Sequence, residues 1–203
     1  MIQYSTTILD AQNDAIETAV GTAPLLQLFN GSLPANCAAA DAGTKIAEGT
    51  LPSDWLGASA SGTKSKAGTW TLTGLSAAGA GTAAQYFRLK NNAGSTCHGQ
   101  GTVGTSVAIA TNGSTAANSA VLNFASTTGV VVGMNVSGTG VPTGARVVAV
   151  TGTTVTLDKV STAGVSSAVS ITFSYDLALD NVSIANGQTV TINSASFINT
   201  ANA

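Results

Sequence analysis

The chain has 203 residues, of which 8% are charged and 44% apolar, and its formal net charge is −2. That length holds one sizeable domain or two small ones and can bury a real core. The charged share is about a third of the usual one, and seven Lys and Arg scattered along the chain form no basic stripe for nucleic acid or acidic lipid.

No apolar run approaches the roughly 20 residues that span a bilayer, and no basic region followed by an apolar core opens the chain, so neither membrane insertion nor a secretory signal is expected. The apolar share comes largely from Ala and Val among Ser, Thr and Gly. Such a surface suits either a subunit hidden in an assembly or a Ser/Thr-coated monomer.

Residues 5–20, STTILDAQNDAIETAV, predict one helix. Ser5, Thr6 or Thr7 caps its start, and Asp10 sits near the positive end of its dipole. Leu9, Ile16 and Val20 fall on one side, with Ala15 and Ala19 beside them, and Gly21 and Pro24 stop it. The stripe is short, so the helix must lie on something larger than itself.

Residues 25–29 read as a strand ended by Asn30-Gly31 and Pro34. The stretch 34–68 reads as mostly irregular, with a short strand at 45–49, and a segment that long runs over a surface or reaches a partner. Residues 70–72 predict another strand. Over 84–90, Gln85, Phe87 and Leu89 alternate with Tyr86, Arg88 and Lys90, so the two sets face opposite sides of a sheet. Asn91 to Gly94 make a hairpin turn, and 96–103 return.

From 104 to 174 the texture changes: aromatic residues nearly vanish, and short strands follow one another at 120–124, 145–150, 153–157 and 169–173. Within 129–158, Val-rich runs alternate with Gly-Thr-Gly and Pro-Thr-Gly turns, and Arg146 closes on Asp158. Strands at 177–179, 182–184 and 189–192 follow, the last running on through Phe197. The expected fold is mainly β: an antiparallel β-sandwich host domain (1–103 plus 175–203) with one N-terminal helix, and an inserted small β-sandwich or barrel (104–174). A hairpin tip accepts such an insertion cheaply.

The segments YSTTILDAQNDAIETAVGTAPLLQLFNGSLP, LPSDWL, GTWT, GTAAQYFRLKNNAGSTCHGQGTVG and LALDNVSIANGQTVTI resemble a family of small virion structural proteins of tailed bacteriophages. In that family the GTV strand typically leads straight to the LDN strand. The resemblance covers residues 4–103 and 177–198. The intervening GMNVSGTGVPTGARVVAVTGTTVTL resembles a β module that recurs in phage capsid-surface, tail and fibre proteins.

The resemblance implies a non-enzymatic subunit of the virion, assembled in the bacterial cytoplasm. As a capsid decoration or cement protein its partners would be the major capsid protein and copies of itself, as a homotrimer. The alternative it implies is a tail or tail-fibre protein that binds other tail proteins or a bacterial surface receptor. No cofactor, nucleic acid or membrane partner is implied.

The residues suited to chemistry are few. Cys97 and His98 are neighbours on a strand and point to opposite faces, so they are expected not to act as a nucleophile and its base. Two Cys and one His fall short of a four-ligand zinc site, and no metal or catalytic residue is expected. Asp10, Asp14 and Glu17 share a helix face, read as solvated, while Asp176 and Asp180 read as turn residues. Gly138-Thr139-Gly140 has no following Lys-Ser/Thr and makes no phosphate loop.

Cys37 and Cys97 both lie in Gly/Ala/Ser-rich segments. In a reducing cytoplasm they are expected as free thiols, with a late disulfide left open. Trp70, Tyr86 and Phe87 are expected in the core. Leu9, Ile16, Trp55 and Leu56 are the expected inter-subunit contacts, with core the alternative for Trp55.

Overall fold

The computed structural model describes residues 4–60, 62–161 and 163–198. The chain divides into two compact units, Ser106–Tyr175 and the residues on either side of it.

The first unit opens with helix α1 (Thr6–Val20). The Ser5 carbonyl, not its hydroxyl, caps the helix start, accepting from the N–H groups of Ile8 and Leu9 at 3.0 and 3.1 Å. Gly21 ends it at φ +85, with its N–H on the Glu17 carbonyl. Strands β1 (Leu25–Asn30), β2 (Thr44–Thr50), β3 (Thr63–Ser65), β4 (Thr71–Gly74), β5 (Thr82–Ala83), β6 (Tyr86–Lys90) and β7 (Cys97–Gly104) follow. The hairpin from β6 to β7 is closed by Asn91, whose Oδ1 accepts from the N–H groups of Ser95 and Thr96, and by Gly94 at φ +69.

The second unit carries β8 (Val107–Ala110), β9 (Ser119–Asn123), β10 (Asn135–Ser137), β11 (Ala145–Val150), β12 (Thr154–Ser161) and β13 (Ser170–Ser174). The chain then returns to the first unit with β14 (Leu177–Leu179), β15 (Ser183–Ile184) and β16 (Thr189–Ile198).

The mainly β fold with one N-terminal helix is the one the sequence predicts. In the first unit seven strands run in the order β14-β7-β6-β1-β2-β4-β16, and β16 pairs with β14 to close the ring. The two layers expected of a sandwich are opposite walls of this one barrel. Closure leaves no open edge among the seven strands. The β7–β14 pair is parallel, a departure from the antiparallel rule of the other pairs, and β3 adds to β16 outside the ring.

The alternation of β6 puts Phe87 and Leu89 among Leu26, Leu28, Ile46, Leu72, Val190 and Ile192 in the core. The stretch 34–68 is more ordered than its composition suggests. It contributes β2 and β3, and outside them the Leu51 N–H donates to the Pro24 carbonyl and the Ala67 N–H to the Trp55 carbonyl.

In the second unit, six antiparallel strands form one curved sheet, β8-β13-β10-β11-β12-β9, and a single bridge between Thr111 and Phe124 links its two ends. Its core gathers Leu122, Phe124, Met134, Val136, Val147, Val155, Leu157, Ile171 and Phe173, and the rings of Phe124 and Phe173 meet edge-on at 5.6 Å. Gly140 shows why the Gly-Thr-Gly turn needs glycine: its φ is +85, and a Cβ there would lie 2.6 Å from the Gly164 carbonyl oxygen. Arg146 meets Asp158 through its backbone N–H, at 2.7 Å. Among the described residues, no helix is long and apolar enough to cross a membrane.

Candidate functional site

The outer face of the barrel carries a polar row across four strands. Gln100 on β7 lies opposite Arg88 on β6, Arg88 opposite Gln27 on β1, and Gln27 opposite Glu48 on β2. One step along β6, Tyr86 stacks on Phe29 of β1, ring centroids 4.9 Å apart. A half-polar, half-aromatic strip of this kind cannot stay dry alone, and the segment 31–43 lies over it as a strap.

Arg88, 2% exposed, clamps that strap. Its guanidinium donates to the carbonyls of Cys37 (2.6 Å) and Ala39 (2.9 Å), to Asp41 Oδ1 (2.6 Å) and, through Nε, to Cys97 Sγ (3.2 Å). Lys90 holds the other Asp41 oxygen at 2.7 Å. Gln100 Nε2 donates to the Pro34 carbonyl, and the Tyr86 hydroxyl donates to the Ala42 carbonyl. A planar fork with fixed donors is what three carbonyl and carboxylate acceptors at one place require.

Burial works against the charged form of Asp41, but hydrogen bonds from Lys90 and Arg88 outweigh it and hold the carboxyl below its ordinary range. Glu48 is depressed in the same way, by Lys45 and Gln27 against burial. The network is not complete, because Oε1 of Gln27 and of Gln100 are buried without a partner.

The strap brings together two residues that the sequence separates. Cys37 and Cys97 line one cavity with Asp41, Arg88, Lys90 and Ser95, and both are free thiols. Burial first, then the neighbouring Cys97 sulfur, pushes the Cys37 thiol up to about 11.

A second cluster fixes the helix. Lys64 on β3, whose side chain is 5% exposed, reaches Asp14 at 2.6 Å and Glu17 at 2.9 Å. Asp10 accepts from the Ser59 hydroxyl and the Gly62 N–H. The acidic helix face expected to be solvated is therefore the face that binds β3 and the loop before it. Burial disfavours the Lys64 ammonium, yet the bonds to Asp14 and Glu17 raise its pKa above the ordinary lysine value.

The expected inter-subunit contacts sit elsewhere than on the surface. Trp55 is fully buried, its ring 5.9 Å from Trp70 and its Nε1 donating to the Gly21 carbonyl at 3.1 Å, and Leu56 is buried beside it in the core. These two are corrected to core residues, because their own unit covers them completely. Leu9 is also buried, whereas Ile16 is partly buried, packing against the core and lining a surface groove.

His98 is exposed in a groove with Gln12, Ile16 and Ala19 of the helix, whereas Cys97 faces Arg88. Asp176 and Asp180 do more than make turns. Asp176 accepts from the Thr102 N–H and hydroxyl, and Asp180 accepts from the Thr191 N–H.

Each of the seven Lys and Arg side chains is engaged within its own unit. Lys45, Lys64, Arg88 and Lys90 make ion pairs. Lys66, Arg146 and Lys159 donate to the carbonyls of Gly68, Gly133 and Thr143. Exposed large apolar side chains are Tyr4, Ile8 and Leu33 in the first unit and, in the second, Val121, Val148 and Val160 on β9, β11 and β12 with Val131 and Val132 in the turn before β10.

Among the described residues, no group of three or more His, Cys, Asp or Glu is placed to hold a metal ion. Sequence reasoning missed the Arg88 clamp. Its signal was the placing of Tyr86, Arg88 and Lys90 on one strand face, a face that calls for something to cover it. In comparison with known proteins, the chain matches no family model, no curated protein and no solved structure.

Proposed function

We propose that the chain is a non-enzymatic structural subunit of a bacteriophage virion, a decoration protein that stabilises the head by bridging shell subunits. The observation that carries this reading is how the charge is used. All seven cationic side chains are bonded within their own unit, and among them Lys64, Arg88 and Lys90 hold the helix to β3 and the strap to the barrel. A reactive site holds charge where a substrate can meet it, whereas a chain that spends its charge internally presents a rigid, weakly charged surface. The segment resemblance to small virion proteins supplies the setting.

The working principle is burial at contacts with the major capsid protein and with further copies of the chain, at about 25 cal/mol per Å² of apolar surface before ordering costs. Repetition around symmetry axes multiplies a weak contact, and a homotrimer suits a threefold position.

A second reading, a tail or fibre protein that grips a bacterial surface receptor, is favoured by the exposed valines of the second unit. Fractionation of purified particles tests the two. The decoration reading expects the protein with DNA-filled heads at a copy number tied to that of the shell subunit. Recovery with tails alone overturns it and supports the receptor reading. On that second reading, particles lacking residues 106–175 would assemble but fail to adsorb.

A further inference from the structure

We propose that Cys37 and Cys97 form an intramolecular disulfide when the protein meets an oxidising thiol pool, covalently fixing the strap 31–43 to strand β7. Both residues are held by the same guanidinium: Arg88 Nη2 donates to the Cys37 carbonyl and Nε to the Cys97 sulfur. Both line the same cavity, which Arg88 and Asp41 also line. Neither residue is enclosed, so a small oxidant can reach them.

Each end also has a bond that Arg88 does not supply. Cys97 belongs to β7, which pairs with β6. The strap is fastened by Arg88 to Ala39 and Asp41 and by Tyr86 to Ala42. Two cysteines on one cavity, each with an anchor besides Arg88, suit exchange, which needs approach of the sulfurs and not a catalytic base.

The oxidant is a small-molecule disulfide such as oxidised glutathione. The thiolate of one cysteine attacks it, breaking the S–S bond and releasing one glutathione thiolate. The second cysteine, deprotonated, attacks the protein sulfur of the mixed disulfide, forming the Cys37–Cys97 bond and releasing the second glutathione. The protein loses two electrons and two protons, and the oxidant gains both as two thiols.

The full chain, incubated in glutathione buffers of increasing oxidised fraction, quenched with an alkylating agent and mapped by mass spectrometry, provides the test. The expected product is a monomer with a Cys37–Cys97 linked peptide pair, with the glutathione adduct at least about tenfold less abundant because closure is intramolecular. Cys37→Ser should instead accumulate the adduct on Cys97. Persistent free thiols, stable glutathione adducts on the unaltered chain, or disulfide-linked dimers would each overturn the proposal. Amide exchange reports the consequence: residues 31–43 should exchange more slowly in the oxidised protein, and unchanged exchange would refute the fixing of the strap.

Discussion

At the scale of single residues, Arg88 concentrates more bonding than any other position described above. Removing it strands the Cys37 and Ala39 carbonyls and leaves Asp41 to Lys90 alone. Loss of one partner from a buried, hydrogen-bonded pair costs several kcal/mol, so Arg88→Gln should lower stability by about 3 kcal/mol in urea unfolding. Arg88→Lys should recover less than half of that, since an ammonium cannot serve three separated acceptors. A loss under about 0.5 kcal/mol would mean the clamp is idle.

Acid titration reads the same site. The folded Asp41 carboxyl is held below its ordinary value of 3.8, so its contribution is complete above that value and disappears as pH falls through the depressed one. Asp41→Asn should flatten the acid limb of the stability curve, and an unchanged limb would refute the assignment. Little of this was legible beforehand. Alternation put Tyr86, Arg88 and Lys90 on one face without saying that it was the outer one, and Tyr86 was expected in the core. Asp41 lies 47 residues from Arg88 in sequence, and no local pattern joins them.

At the scale of elements, the helix and strand β3 are coupled by charges of unequal burial. Lys64 is 5% exposed while Asp14 is 58% exposed. Removing the lysine leaves Asp14 largely wet. Removing the acids leaves a buried ammonium with no counter-charge from the helix. Lys64→Met should therefore cost about 1 kcal/mol, and Asp14→Asn with Glu17→Gln about 3 kcal/mol. Amide exchange along Thr6–Val20 should accelerate most in the double variant, and the reverse order would contradict the account.

The helix itself was readable from its 3.6-residue stripe and its Gly21 stop, as was the β6–β7 hairpin from its turn residues. The role of its acidic face was not, because β3 lies in a stretch whose composition resembles loop. Trp55 escaped for the same reason. Its neighbours Pro52 and Leu56 are compatible with a surface loop, and only the docking of the segment on Trp70 and Gly21 places the indole inside.

At the scale of the whole molecule, the chain leaves the barrel after Gly104 and re-enters at Leu177, and these points are neighbours. Val103 pairs with Leu177, and Asp176 bonds to Thr102. Replacing Ser106–Tyr175 by a flexible linker of about five residues, which spans roughly 12 Å, should leave a barrel that unfolds in one cooperative transition. A molten or aggregated product would show that the first unit depends on the second. The change in texture near residue 104 was visible in composition. Closure into a barrel was not, because the β14–β7 and β14–β16 pairings join segments with no shared turn.

As a decoration protein, the function proposed above, this molecule would adhere to a phage head and strengthen it. That role is tested most directly by heating heads that lack the protein and following DNA release. Those heads should release DNA at a lower temperature than complete ones, and adding back the purified chain should restore the difference as it binds. Identical release profiles, with no binding of the added protein, would contradict it.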